Sequence, residues 1–368
     1  MLKNEKQALL NLGNLPKVGA VNAKTLIGYC GSAEAVFNEK KSALIKIPGI
    51  SEHIASTILK SKSNEIVQKE LGFMESNKIN ILPFYQNEYP KRLKQLIDSP
   101  LYLFTKGTMD FNQARVISII GTRKNTAYGK EMTEQLIQGL KSHDIQIVSG
   151  LAYGIDGIAH KKANELSIAN AAVLAHGLDL IYPKRHINLS QEILRKGGAL
   201  ITEHLSNTKM HPDLFPRRNR IVAGMCDACL VIESGTKGGS MITARISSKY
   251  NRTVFALPGR KGDTMSIGCN ELIKKRKAFL CESADDLAHI MGWTEKKMPS
   301  SSQTSLFKEL STDEHHVVEL LQSRKLSYDE LLVLSQIPMN KFTTLLIKLE
   351  MEGVIQSLPG KVYGLRAA

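Results

Sequence analysis

Residues 114–121, ARVISIIG, are a β-branched apolar run that stops on a glycine, and KEMTEQLIQGLKSHD at 130–144 follows with helical spacing. The same unit then recurs. IQIVSG (145–150) leads into GIDGIAHKKANEL, and NAAVLA (170–175), GALITE (198–203), DACLVIES (227–234) and RTVFALPG (252–259) continue the series. Short apolar strands alternating with amphipathic helices predict a doubly wound, mostly parallel, Rossmann-like α/β sheet. Such sheets place ligand groups in the loops beyond the carboxyl ends of their strands.

Those loops carry the informative residues. In SIIGTRKNTAYGK, Gly121 lets the backbone approach a ligand, Thr122 follows, and Arg123 adds a forked, permanently charged donor. The next helix N-terminus is expected to offer free N–H groups to an anion. The second turn, SGLAYGIDGIAH, combines Gly150 with Asp156, read as a helix cap, and with His160 four residues on. Asp156 and His160 are either an acid/base pair or a cap and a core histidine. The structural reading is preferred, because no nucleophile or ligand set accompanies them. A third turn, ESGTKGGSMITAR, brings Gly238, Gly239 and Ser240 onto another helix start. Three such turns along one sheet edge suggest an extended groove for phosphates rather than one compact pocket. Neither G-x-G-x-x-G nor a Walker A lysine is present, so nucleotide cofactor binding lacks its signature and no cofactor is expected.

Composition fits that groove. The 368 residues hold 49 Lys+Arg against 35 Asp+Glu, a net charge of +14, which favours polyanionic partners. Residues 184–220 hold eight basic residues against three acidic ones, densest in HPDLFPRRNRIVAG. There Phe215 beside Arg217, Arg218, Asn219 and Arg220 mixes a stacking surface with phosphate donors and an amide able to read a base edge. A solvated basic loop with Phe215 as a core anchor is the structural alternative.

The flanks read differently. In residues 1–78, LPKVGAVNAKTLIGYCGS resembles LIKIPGISEHIASTILKS, each with a turn glycine, Gly19 and Gly49, before a helix. This is the pattern of a helix-hairpin-helix (SAM-like) domain, able to face DNA phosphates or to serve only as a packing module. Residues 79–293 form the Rossmann-like domain, and 294–308, TEKKMPSSSQTSLFK, polar and Ser-rich, read as a linker. In 309–368, helices capped by Ser311 or Thr312 and by Ser327 with Glu330, a third beginning near Pro338, and a hairpin turning at Pro359-Gly360 make a winged helix. Its third helix carries Lys341 and Lys348 but also Glu350 and Glu352, so it is not a clearly basic reader of duplex DNA.

Five cysteines are too few and odd in number for a disulfide scaffold. Cys226 and Cys229 lack a second pair at ligand spacing, so they read as buried strand thiols and no metal is expected. MLKNEKQALLNLGN lacks the apolar block of a signal peptide, and no run approaches the roughly 20 apolar residues of a membrane span. The expected location is the cytoplasm.

GTRKNTAYG, VSGLAYGIDGIAH, LDLIYPKRHINL, LITEH, FPRRNRIVAG, GGSMITAR, ALPG and GCNELI stand in the order found in the DNA-processing protein A family (DprA/Smf), which the chain resembles over about 80–290. That resemblance implies a homodimer that binds and protects incoming single-stranded DNA in natural transformation. It further implies displacement of single-strand-binding protein, loading of the RecA recombinase, and no catalytic activity. The groove it implies uses Arg123, Lys184 after the Tyr-Pro pair, and the FPRRNR segment. Gly238-Gly239-Ser240 and Gly-Thr-Arg depart from the more common Ser-Gly-Ser and Gly-Ser-Arg. Two rivals remain: a nucleotide-ribose hydrolase, whose P-G-G-x-G-T-x-x-E is incomplete here for want of its proline and glutamate, and a winged-helix duplex-binding regulator.

Overall fold

The computed structural model describes residues 3–61, 65–293, 311–323, 325–352, 354–358 and 362–365. The expected linker 294–308 and the Pro359-Gly360 turn lie outside the described residues. The chain divides into two compact units, Met1–Thr294 and Glu295–Ala368.

The first unit opens with six helices: α1 (Lys3–Gly13), α2 (Ala20–Cys30), α3 (Ala33–Asn38), α4 (Lys41–Leu44), α5 (Glu52–Lys60) and α6 (Glu65–Asn77). The two hairpin turns correspond with a shift of two residues from the alignment of Gly19 with Gly49. Lys17 (φ +67°) and Gly49 (φ +81°) take the left-handed position, with Val18 and Ile50 donating back to Leu15 and Ile47. Gly19 and Ser51 are then the N-caps of α2 and α5. The helical core does not end at the sheet, since Leu101, Tyr102 and Phe104 complete it.

Next come β1 (Asn80–Pro83), α7 (Lys91–Lys94), β2 (Tyr102–Gly107), β3 (Val116–Ile120), α8 (Ala127–Leu140), β4 (Gln146–Ser149), α9 (Ile155–Glu165), β5 (Asn170–Val173), α10 (Ile187–Arg195) and β6 (Ala199–Thr202). After these follow α11 (Leu214–Gly224), β7 (Ala228–Val231), α12 (Gly239–Lys249), β8 (Thr253–Ala256), α13 (Ile267–Lys274), β9 (Phe279–Leu280) and α14 (Ala284–Ile290). The nine strands form one sheet in the order β1-β2-β6-β5-β4-β3-β7-β8-β9. Strands β3 to β9 pair in parallel, while β1 and β2 add an antiparallel edge.

Every residue of β3 is buried, as a parallel strand covered on both faces requires. Period-2 alternation sorts its side chains between two layers. Ile117 and Ile119 pack with α8, α9 and α14, whereas Val116 and Ile120 pack with α11, α12 and α13. Winding runs from β3 out to β6, then returns to β7 on the other side of β3. The carboxyl ends of β3, β4 and β7 therefore flank a topological switch point, where open α/β sheets bind ligands.

Cys226 and Cys229 are both buried and free. Cys229 lies in β7, but Cys226 sits in the turn before it, its thiol against the Val222 carbonyl. No described helix is long and apolar enough to cross a membrane.

The second unit holds α15 (Thr312–Ser323), β10 (Leu326–Ser327), α16 (Tyr328–Ser335), α17 (Met339–Met351), β11 (Ile355–Leu358) and β12 (Val362–Leu365). The strands pair β10-β12-β11, all antiparallel, against a core around Val317, Leu331, Phe342 and Leu349. Ser327 and Glu330 close the expected capping box. This is a winged helix. Of the two lysines on its third helix, Lys348 is paired with Glu314 at 2.6 Å.

Candidate functional site

A cavity of about 790 Å³ opens at the switch point. Its walls come from the turn after β3 (Gly121, Thr122, Arg123), Gly150 and Ala152 after β4, the first turn of α9, the start of α11, and the turn from β7 into α12. The three glycine turns predicted from sequence are thus gathered round one space.

The turns are not equivalent. The N-terminus of α8, expected to be open to an anion, is occupied from within. Thr126 caps it by accepting from the Gly129 N–H, and the buried Glu233 carboxylate takes the Thr126 N–H at 2.9 Å and its hydroxyl at 2.6 Å. Thr122 is fixed by its own N–H donating to the Glu233 carbonyl at 2.7 Å, which leaves Arg123 projecting into solvent. At α9 the N-cap is Gly154, not Asp156. Gly154 needs a positive φ of 77°, and a Cβ there would stand 2.2 Å from the Thr122 carbonyl oxygen.

The start of α12 is the open one. Its N-cap, Gly238, makes no side-chain cap, and a Cβ added at Gly239 would meet nothing within 4 Å. Ser240 is buried and donates to the Ser234 hydroxyl. Free N–H groups and the positive helix end therefore face the cavity beside Lys237.

The FPRRNR segment is helical, within α11, and not the solvated basic loop of its structural alternative. At 3.6 residues per turn its side chains diverge. Phe215, half-buried, and Asn219 share the cavity face; Arg217 is exposed. Arg218 turns inward and is 5% exposed. Its guanidinium donates to the Val173 carbonyl and covers Gly150, where a Cβ would stand 2.2 Å from it. Burial lowers its pKa to about 10, against the opposing pull of Asp156. Burial likewise raises Asp156, opposed by Arg218 and by the N–H groups of Ala152 and Gly150. Arg218 Nε has no hydrogen-bond partner among the described residues. Arg220 leaves the cavity altogether, pairing with Glu203 and donating to the Asp98 carbonyl at 2.6 Å.

His160 is a core histidine, as preferred from sequence. It is fully buried against Asn170 (2.8 Å), and burial holds it at a pKa of about 4.

Arg123 and Phe215 meet across the mouth, the guanidinium carbon 5.4 Å from the ring centroid. Tyr182 stands edge-on to Phe215 at 6.0 Å, and Tyr153 lies beyond it against His186. Both tyrosines are about 40% exposed, and both were missed from sequence. Their only signal was position, Tyr182 before Pro183 and Tyr153 inside a glycine turn. Lys184 is exposed two residues past Tyr182, just outside the main cavity. His186 anchors that rim, its Nδ1 2.9 Å from the Leu151 carbonyl oxygen. Among the described residues no three His, Cys, Asp or Glu are grouped to hold a metal.

Fold and cavity define a Rossmann-like protein with a ligand cleft at its switch point, carrying a helical N-terminal domain and a winged helix. The model of the DNA recombination-mediator protein A family matches residues 80–292, and that of the DprA winged helix domain matches 301–361. The chain belongs to the DNA recombination-mediator protein A family. It is 31% identical over 312 residues to protein Smf of Escherichia coli (strain K12), covering 82% of each chain. It is also 35% identical over 238 residues to the DNA processing protein DprA of Bacillus subtilis (strain 168), covering 64% of this chain and 80% of that one. The X-ray structure of DprA from Streptococcus pneumoniae aligns with a TM-score of 0.67 at 28% identity, over 78% of this chain and 98% of that one. DNA processing protein A of Helicobacter pylori, whose structure concerns its single-stranded DNA binding mode, aligns at 0.53 with 30% identity, over 58% and 95%.

Proposed function

We propose that this chain binds single-stranded DNA along the switch-point cavity, protects it, and helps load RecA onto it in place of single-strand-binding protein. The Arg123–Phe215 pair carries this reading. A cation and a ring at one mouth provide a phosphate contact and a stacking face in adjacent positions, the combination an unpaired strand uses. Phosphates run from Arg123 and Lys184, past the turn at Thr122, to the open start of α12 at Gly238, Gly239 and Ser240. Gly121 and Gly150 instead admit the side chains of Ile155 and Arg218, which fill the space a Cβ would take. Arg217 and Asn219 line the strand's path. Arg218 and Arg220 act from inside, shaping the floor and fixing α11.

The role is non-catalytic in this reading. Asp156 is committed to the Gly150 N–H, and the Glu233 carboxylate to Thr126, so both carboxylates near the turns support backbone. The protein works in the cytoplasm as a homodimer. The β9 edge supports pairing of copies, since Phe279 and Leu280 are 54% and 44% exposed on a strand that, among the described residues, pairs only with β8. The test is RecA filament assembly on a strand coated with single-strand-binding protein. Adding this chain should shorten the lag; an unchanged lag would remove the loading role.

A further inference from the structure

Two loops that build the DNA rim are held by the N-terminal helical domain. The loop after β6 runs from Glu203 to Asp213, and its Met210, His211 and Pro212 line the cavity. The loop after β5 ends at Tyr182 and Lys184. Leu205 of the first and Leu178 of the second both pack on the core of the N-terminal helices. The loops also touch each other, for a Cβ on Gly177 would stand 2.4 Å from the Leu205 carbonyl oxygen.

The polar latch at this point is Glu70 on α6. It is 3% exposed, yet it carries a carboxylate, and one of its oxygens accepts both the Ser206 N–H (2.9 Å) and the Ser206 hydroxyl. A buried carboxylate is costly unless its bonds are made, so its place here requires the loop to be home. Ser206 lies four residues before the first cavity residue of that loop.

We propose that Glu70 is a positioning residue for the DNA groove: through Ser206 it holds the 203–213 loop, and so the N-terminal domain sets the groove without touching DNA. The proposal rests on the single-strand reading above. A loop that visits its binding geometry a tenth of the time weakens apparent affinity about ten-fold.

The experiment titrates a fluorescent oligothymidine strand with the full chain and follows backbone hydrogen exchange at 203–212. Glu70→Ala should bind about ten-fold more weakly with an unchanged salt slope, because no phosphate contact is lost, and exchange at 203–212 should accelerate. Glu70→Gln keeps an oxygen for Ser206 and should restore binding to near wild type. Ser206→Ala in the Glu70→Ala background should cost nothing further. Val67→Ala, buried on the same helix, is the control that destabilises the domain and should leave binding intact. Wild-type affinity in Glu70→Ala, or an equal loss in Val67→Ala, would overturn the proposal. Failure of the wild-type chain to bind would instead overturn the single-strand reading, with hydrogen exchange still reporting on the latch.

Discussion

Arg123 holds its guanidinium carbon 5.4 Å from the centre of the Phe215 ring, though the two residues lie on different elements, the turn after β3 and the first turn of α11. In the proposed groove the charge would meet a phosphate and the ring a stacked base. The two side chains should therefore fail in different ways.

Arg123→Ala, and Lys184→Ala beside it, should each weaken binding to every single strand and reduce the slope of log K against log salt by about 1. Phe215→Ala should cost about 1–3 kcal/mol of binding with the slope unchanged. Polarisation titrations at four salt concentrations separate the two. Equal slope changes in both would contradict the division of labour.

Adjacent arginines on α11 should divide in the same manner. Arg218→Ala removes a donor from the Val173 carbonyl and the cation facing the buried Asp156, so it should lose about 3 kcal/mol or more of folding stability. Arg217→Ala should stay within about 0.5 kcal/mol, as an exposed residue does. Urea unfolding of the two variants is the check.

The turn glycines should be equally unlike. A Cβ at Gly129 would lie 2.1 Å from the Glu233 carboxylate that holds Thr126, so Gly129→Ala should cost about 1–3 kcal/mol. Gly239→Ala has open space and should fold as the parent. Thermal unfolding of both variants tests the claim that α8 is closed and α12 open.

Acid should weaken the fold through its buried histidines. His160 titrates near 4 in the folded chain and near 6.5 when unfolded, so between those values the unfolded state binds more protons. Stability is complete above about pH 6.5 and falls as pH drops towards 4, by about 3 kcal/mol for this group. His176 and His204, also lowered by burial, add to the same limb. Urea midpoints from pH 7.5 to 4.5 should fall, and His160→Gln should flatten the slope.

The sheet's centre was legible because β3 to β8 are apolar runs ending in glycine or at turns, with helices between them. Its edges were not. Asn80–Pro83 is only four residues long and ends on a proline, and β9 has two residues, so neither strand states itself in sequence. The glycine turns were found, but which helix start was open depended on Glu233, whose side chain reaches across from the turn after β7. The FPRRNR segment does not announce its helix, because it carries Pro216. Pro216 falls in the first turn of α11, where a missing N–H costs no helix bond, so the helix forms and sends Arg217, Arg218 and Arg220 to three surroundings.

One comparison tests the central claim most directly: titration of an oligothymidine strand and of a duplex of equal length, each across the same salt range. The single strand should bind more tightly at every salt concentration, with log K falling linearly as log salt rises. A duplex bound as tightly as the single strand, or more so, would contradict the account.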